Sequence, residues 1–196
     1  MFLYWITRVI FRTFAKIFLR LKVEGLENIP AKGGFVLAAN HASSLDPFLV
    51  TAAFPRYIRW LVIYEYYDLW FFKWFLKSMR FIRIENNLPR EALRTLKRGG
   101  IVGLFPEGRR TWSGKLGPGR AGAVALARHT GCPVVPLAIS GSYEALPRTR
   151  KTIKPHPITV RIGKPLYFHP FRRKEDSAKT DQDNIQILMQ ALANFL

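Results

Sequence analysis

Cysteine is nearly absent: Cys132 stands alone in 196 residues. That excludes an internal disulfide framework and a multi-cysteine zinc site, and it suits a reducing compartment. Acidic residues are scarce as well, with 13 Asp and Glu against 31 Lys and Arg, a formal charge of +18, and no carboxylate side chain before Glu24. Such a balance calls for an anionic partner, whether nucleic acid, a membrane surface or a phosphorylated substrate. Aromatics make up 14% of the chain, many of them in apolar runs, which favours a lipid interface over nucleic acid. Uninterrupted apolar runs are short. The longest stretch without Asp, Glu, Lys or Arg, His129 to Tyr143, contains two prolines and cannot span a bilayer as a helix. There is no G-x-S-x-G elbow, no convincing internal repeat and no low-complexity segment. The length fits one domain with a single substantial core.

The amino-terminal segment carries a pattern of its own. Leu3, Ile6, Ile10, Phe14, Ile17 and Leu21 recur at the spacing of one helical face, and Arg8, Arg12, Lys16 and Arg20 repeat at every fourth position opposite them. This predicts an amphipathic helix over residues 1–22 lying in the headgroup plane, with Tyr4, Trp5 and Phe11 near the interface. A surface helix packed on its own core is the alternative. Residues 23–196 then form the main domain.

Within that domain, strand-like runs at 21–24, 34–39, 58–63, 81–84, 101–105, 134–139 and 158–162 alternate with helical patterns at 47–54, 89–97 and 120–129. Leu166 to Phe168 reads as an edge extension, and Thr180-x-x-Asp183 as the opening of a last helix that shows Ile185, Leu188, Met189 and Leu192 on one face. The alternation predicts an α/β fold with a mixed, mainly parallel sheet flanked by helices. The run Leu69 to Lys77 is apolar nearly all round, and is either deeply buried or a second membrane-facing surface.

Chemistry concentrates in two turns, each following a buried strand. The first is Asn40-His41-Ala42-Ser43-Ser44-Leu45-Asp46-Pro47, in which Asp46 reads as a helix N-cap and Pro47 as the first helical residue. On a continuous helix His41 and Asp46 would lie about 140° apart, whereas a turn lets them meet. A carboxylate on one ring nitrogen leaves the other free to take a proton from a hydroxyl. Ser43 and Ser44 are too close in sequence to aim easily at the ring, so that hydroxyl should belong to a substrate. The second turn, Pro106-Glu107-Gly108-Arg109-Arg110-Thr111 with Lys115 and Arg120 behind it, suits phosphate oxygens through guanidinium forks and amides near Gly108.

Taken together the two turns resemble the glycerolipid acyltransferases of the 1-acylglycerol-3-phosphate type. Asn40-His41-x4-Asp46 is similar to that family's NHx4D block, Phe105-Pro106-Glu107-Gly108-x-Arg110 to its FPEGTR block, and Val134-Val135-Pro136 to its late V-P block, in the family's order between about Val23 and Gly141. Two departures stand out. Arg109 replaces the usual Thr, as an added phosphate contact or the mark of a different acceptor. Ile84-Glu85-Asn86 replaces Ile-Asp-Arg, which makes Arg83 the candidate for the arginine missing at Asn86.

The resemblance implies transfer of a fatty acyl group from acyl-CoA or acyl carrier protein to the free hydroxyl of a lysophospholipid, typically lysophosphatidate. It implies His41 and Asp46 as catalytic residues, and Asn40, Arg83, Glu107, Gly108, Arg109, Arg110, Thr111 and Lys115 around the substrate. Arg110 would pair with the phosphate, and Glu107 would fix Arg110 or a glycerol hydroxyl. No cofactor and no metal is expected, nor nucleic acid as a partner. The location implied is peripheral or monotopic on the cytoplasmic face of a phospholipid membrane. A lipid esterase or thioesterase would use the same pair on water. A non-enzymatic basic membrane-binding or nucleic-acid-binding protein would account for the charge but not for the turns.

Overall fold

The computed structural model describes residues 2–63, 80–84, 88–170 and 177–196; the apolar run Leu69 to Lys77, and Glu85 and Asn86, lie outside them. Among the described residues the strands are β1 (Lys22–Glu24), β2 (Phe35–Ala39), β3 (Ile58–Ile63), β4 (Ile82–Ile84), β5 (Ile101–Leu104), β6 (Val134–Ser140) and β7 (Thr159–Ile162). Among the described residues the helices are α1 (Phe2–Phe18), α2 (Asp46–Ala53), α3 (Arg90–Lys97), α4 (Gly122–Thr130), the short α5 (Ser142–Ala145) and α6 (Ser177–Ala193). The seven strands form one sheet in the order β1-β7-β6-β2-β5-β3-β4. β6, β2, β5, β3 and β4 are mutually parallel, while β7 is antiparallel to β6 and carries β1 parallel to itself. The mixed, mainly parallel sheet expected from the alternation is therefore the fold observed.

The central strand shows why both faces are covered. All five residues of β2 are buried, and side chains alternate across a strand. Phe35, Leu37 and Ala39 pack with Ala15 of α1, Leu19 just beyond its end, and Leu49, Val50 and Ala53 of α2. Val36 and Ala38 face the other way, with Leu96 of α3, Val124 and Leu126 of α4, and Ile185 and Leu188 of α6. The chain leaves β2 toward α2 on one face and leaves β5 toward α4 on the other. Adjacent parallel strands whose connections part to opposite faces open a crevice at their carboxyl ends. Both chemically rich turns start there.

Several local expectations change. α6 begins at Ser177, so Thr180 lies inside the helix rather than opening it. Leu166 to Phe168 contributes a single bridge, Val134 to Leu166. Asp46 is the first residue of α2 rather than its cap, preceded by Leu45 in a helical conformation. The largest change concerns α1. Its inward stripe is Tyr4, Arg8, Phe11 and Ala15, continued by Leu19 just past its end: Tyr4, Ala15 and Leu19 are buried, Phe11 packs on the core, and Arg8 Nε donates to the Phe54 carbonyl at 2.9 Å. Tyr4 and Phe11 are thus core residues, and Arg8 is pinned to α2's end instead of pointing to solvent. Ile6, Ile10 and Ile17 of the predicted apolar stripe face outward, with Trp5, Val9 and Phe18 beside them. No helix among the described residues is long and apolar enough to cross a membrane.

Candidate active site

His41 follows β2 directly, and the chain then doubles back on itself. One oxygen of Asp46, Oδ2, accepts the His41 Nδ1 contact at 2.9 Å and the amides of Ala42 and Ser43 at 2.8 and 2.7 Å. Asp46 is wholly buried, whereas the His41 side chain keeps 18% exposure. In the neutral ring with Nδ1–H given to the carboxylate, Nε2 carries the lone pair, and no side chain among the described residues hydrogen-bonds it. Asp46 Oδ1 is buried without a protein partner. Ser43 Oγ donates to the Leu146 carbonyl at 2.7 Å and Ser44 Oγ accepts from Arg110 at 3.2 Å. Neither hydroxyl addresses the ring, so the pair has no nucleophile of its own.

The second turn is locked to the first by Glu107. Its Oε1 accepts the His41 amide at 2.7 Å and its Oε2 the Gly117 amide at 2.9 Å. Removal from water pushes the Glu107 carboxyl above its ordinary range, and the two amides, with His41 nearby, oppose the rise. The Thr111 amide returns the link by donating to the His41 carbonyl at 2.9 Å. Both Glu107 oxygens are thus committed to backbone. The geometry gives Glu107 a framework role, tying the two turns together. Asn40 is similar: buried, it donates to the Ile139 carbonyl at 3.0 Å and accepts the Ile139 amide at 2.7 Å, extending the β2–β6 ladder by one residue. Its amide faces β6, not the crevice.

Cations line the rim. Arg110 reaches across to Ser44 of the His41–Asp46 turn, while Arg109 and Lys115 are exposed. Gly108 adopts φ +69, and a Cβ there would come 3.0 Å from Arg120 Nε, so the Arg120 guanidinium lies over this backbone. Arg83 stands in the edge strand β4, three strands from β2 and therefore roughly 14 Å across the sheet. Sequence reasoning missed two members of the site. Arg148 stacks on the exposed Trp112 at 4.0 Å, and Tyr143 Oη donates to the Trp112 carbonyl at 2.7 Å, which brings the basic loop Arg148 to Lys154 to the same rim. Phe105 covers one face of the His41 ring. The available signal for Arg148 was an aromatic next to the second turn and a basic run elsewhere, with nothing local to join them. Among the described residues no cluster of His, Cys, Asp and Glu could hold a metal ion.

What such a site can do chemically is narrow. An imidazole with an open Nε2 can accept a proton from a hydroxyl, and the cationic rim is complementary to negative charge, an arrangement carried at the carboxyl ends of parallel strands in an α/β fold. The particular family follows from its relatives. The chain belongs to the Acyltransferase family, whose model matches residues 20–140. It is similar to 1-acyl-sn-glycerol-3-phosphate acyltransferase of Bacillus subtilis, 30% identical over 157 residues that cover 77% of this chain and 76% of that protein. The enzyme of the same description from Pseudomonas aeruginosa is 33% identical over 175 residues, 85% of this chain and 64% of that one. The crystal structure of the 1-acyl-sn-glycerophosphate (LPA) acyltransferase PlsC from Thermotoga maritima superimposes with a TM-score of 0.76 and 27% identity, covering 97% of this chain and 79% of that one. Against longer relatives the chain spans about half: 46% of the chloroplastic enzyme BAT2 of Brassica napus, to which it is 31% identical.

Proposed function

We propose that the chain transfers a fatty acyl group from a thioester to the free hydroxyl of 1-acylglycerol 3-phosphate, giving phosphatidate. The observation that carries this reading is the open Nε2 of a carboxylate-held imidazole beside the Arg109–Arg110 turn, both at the carboxyl ends of adjacent strands. The names of the relatives supply the acceptor: several are 1-acyl-sn-glycerol-3-phosphate acyltransferases.

In this mechanism His41 Nε2 removes the acceptor's hydroxyl proton as the oxygen attacks the thioester carbonyl. Asp46 holds the ring's tautomer and balances the imidazolium. Collapse of the tetrahedral intermediate breaks the carbon–sulfur bond, and the imidazolium returns its proton to the leaving thiolate. Arg110 and Arg109 pair with the phosphate. The donor is acyl-CoA or acyl carrier protein, and the Arg148–Trp112 rim suits the anionic carrier of either. The outward stripe of α1, with Val9, Ile10 and Ile17 at 59%, 64% and 73% exposure beside Arg12, Lys16 and Arg20, supports docking on an anionic phospholipid surface.

The test is a mass-spectrometric acceptor screen that offers lysophosphatidate, glycerol phosphate and neutral lysolipids with each donor. Phosphatidate formed by the wild type and abolished in His41→Ala, with lipid binding intact, is the expected result. Free fatty acid released at the same rate without acceptor would move the assignment to a thioesterase. Near-normal turnover by His41→Ala would remove the mechanism.

A further inference from the structure

The His41 imidazole is one end of an aromatic column. Its ring lies against Phe105 with centroids 3.9 Å apart and planes 13° apart, and Phe105 lies against Trp60 at 4.9 Å and 12°. These rings come from three neighbouring strands: His41 follows β2, Phe105 follows β5 and Trp60 belongs to β3, in the spatial order β2-β5-β3. Two features hold the far end. Trp60 Nε1 donates to Thr51 Oγ1 at 3.2 Å, both residues being buried, and Thr51 belongs to α2, the helix that starts with Asp46. Gly103 is the ladder partner of Trp60. A Cβ on Gly103 would come 2.8 Å from Trp60 Cε3 and 2.7 Å from Ile58 Cγ2, so the bare backbone lets the indole lie across β5. One helix therefore addresses the imidazole twice, through Asp46 at Nδ1 and through Thr51, Trp60 and Phe105 at the ring face.

We propose that this column is part of the catalytic apparatus: Phe105 contacts the reacting imidazole and supports its positive charge, and Trp60 is the positioning residue that keeps Phe105 parallel to it. The proposal rests on His41 acting as the base in the acyl transfer described above. A cation over an aromatic face is drawn to the ring quadrupole, and a neutral ring in the same place is drawn much less. In this reaction the imidazolium forms as Nε2 takes the acceptor's proton, with Nδ1–H still on Asp46. Support for it is consequently stronger at the transition state than in the substrate complex and appears in kcat rather than KM. Removing the column should slow turnover by about two- to thirtyfold.

The experiment compares Phe105→Leu, Trp60→Leu and Trp60→Phe with wild type and His41→Ala. It measures kcat and KM for lysophosphatidate, the donor chain-length profile, thermal stability and the NMR shift of the His41 Hε1 proton. The chain has four histidines, so the signal missing in His41→Ala assigns that proton. Phe105→Leu and Trp60→Leu are expected to lower kcat about tenfold with KM within about twofold, and to move Hε1 downfield as ring-current shielding is lost. Trp60→Phe keeps a stacked ring and should recover most of the rate and the shift, which covers the case in which a leucine variant folds poorly. Trp60 also lines a small apolar crevice with Phe11, Phe48 and Phe81. A change confined to chain-length preference, with kcat for the best donor and the Hε1 shift intact, would make Trp60 a crevice wall and overturn the proposal. If His41→Ala is inactive and both leucine variants turn over normally, the column alone fails; if His41→Ala retains turnover, the base assignment falls and the column with it.

Discussion

Glu107 concentrates three demands in one side chain: it is 7% exposed, it accepts one amide on each oxygen, and those amides belong to different turns. Replacing it with Gln keeps the volume but turns one acceptor into a donor facing an N–H. The expected cost of stranding a buried amide is ~1–3 kcal/mol, and because one of the two anchors is His41's own amide, turnover should fall with stability. Thermal melts and kcat of Glu107→Gln check both. The raised carboxyl also sets a pH signature. For an acid whose folded pKa lies above its ordinary 4.5, the associated stability is fully present below that value and is lost as pH rises through the raised one. The stability of wild type relative to Glu107→Gln should therefore decline across that interval, and a flat difference would contradict the burial argument.

At the scale of the element, α1 is the helix with two apolar faces. The inward one is joined to β3 by tyrosines: Tyr4 accepts the Ile58 amide at 3.2 Å and packs edge-on against Tyr57 at 4.4 Å. Burial pushes the Tyr57 phenol up to about 12, against the pull of the Arg59 and Arg80 charges. The stability linked to that shift is complete below pH 10, the ordinary phenol value, and is lost as pH climbs toward 12. Burial raises the Tyr4 phenol as well, so absorbance at the phenolate band, followed with circular dichroism, should show both tyrosines titrating late, with loosening of α1 as they ionise. The outward face makes a separate prediction. Ile10→Glu with Ile17→Glu removes two exposed side chains, 64% and 73% accessible, so the melting temperature should stay put. In the proposed docking on an anionic surface, their loss should reduce partition onto anionic vesicles by at least about tenfold. Unchanged vesicle binding would shift the lipid contact elsewhere.

Across the whole molecule, charge and topology cooperate. An excess of 31 basic over 13 acidic residues repels itself wherever it is concentrated, yet the two basic loops at 109–120 and 148–154 are drawn to one rim by the Trp112 contacts with Arg148 and Tyr143. In the proposed reaction that rim receives the thioester's carrier. Arg148→Glu should raise KM for the donor several-fold at low salt, leave kcat close to wild type, and lose its effect as ionic strength screens the rim. A defect in kcat alone, insensitive to salt, would detach Arg148 from donor binding.

Much of this was legible in the chain, because it depends on neighbours. The strand at 34–39 shows itself as an unbroken apolar run, Gly131 as a helix stop that the structure places at φ 70, and the His41–Asp46 pair as a turn spanning five residues. The lack of a serine nucleophile was readable too, since Ser43 and Ser44 had no room to reach the ring. Other parts were decided by distance in the fold. Asn40 meets Ile139 across 99 positions and Glu107 meets the His41 amide across 66, partners that no local spacing names. Periodicity marks a strand without naming its neighbour, so nothing in the residues said that Trp60 would lie over Gly103 or that Phe105 would cover the imidazole. For α1, two stripes competed for the core and the helical period admitted both. Thus much of the local conformation and the imidazole–carboxylate pair itself were settled by the sequence alone, through steric and hydrogen-bonding preferences that act within a few residues. Which faces became interior and which polar groups became framework were settled by the tertiary structure, because burial and hydrogen-bond satisfaction are met only when remote segments pack together.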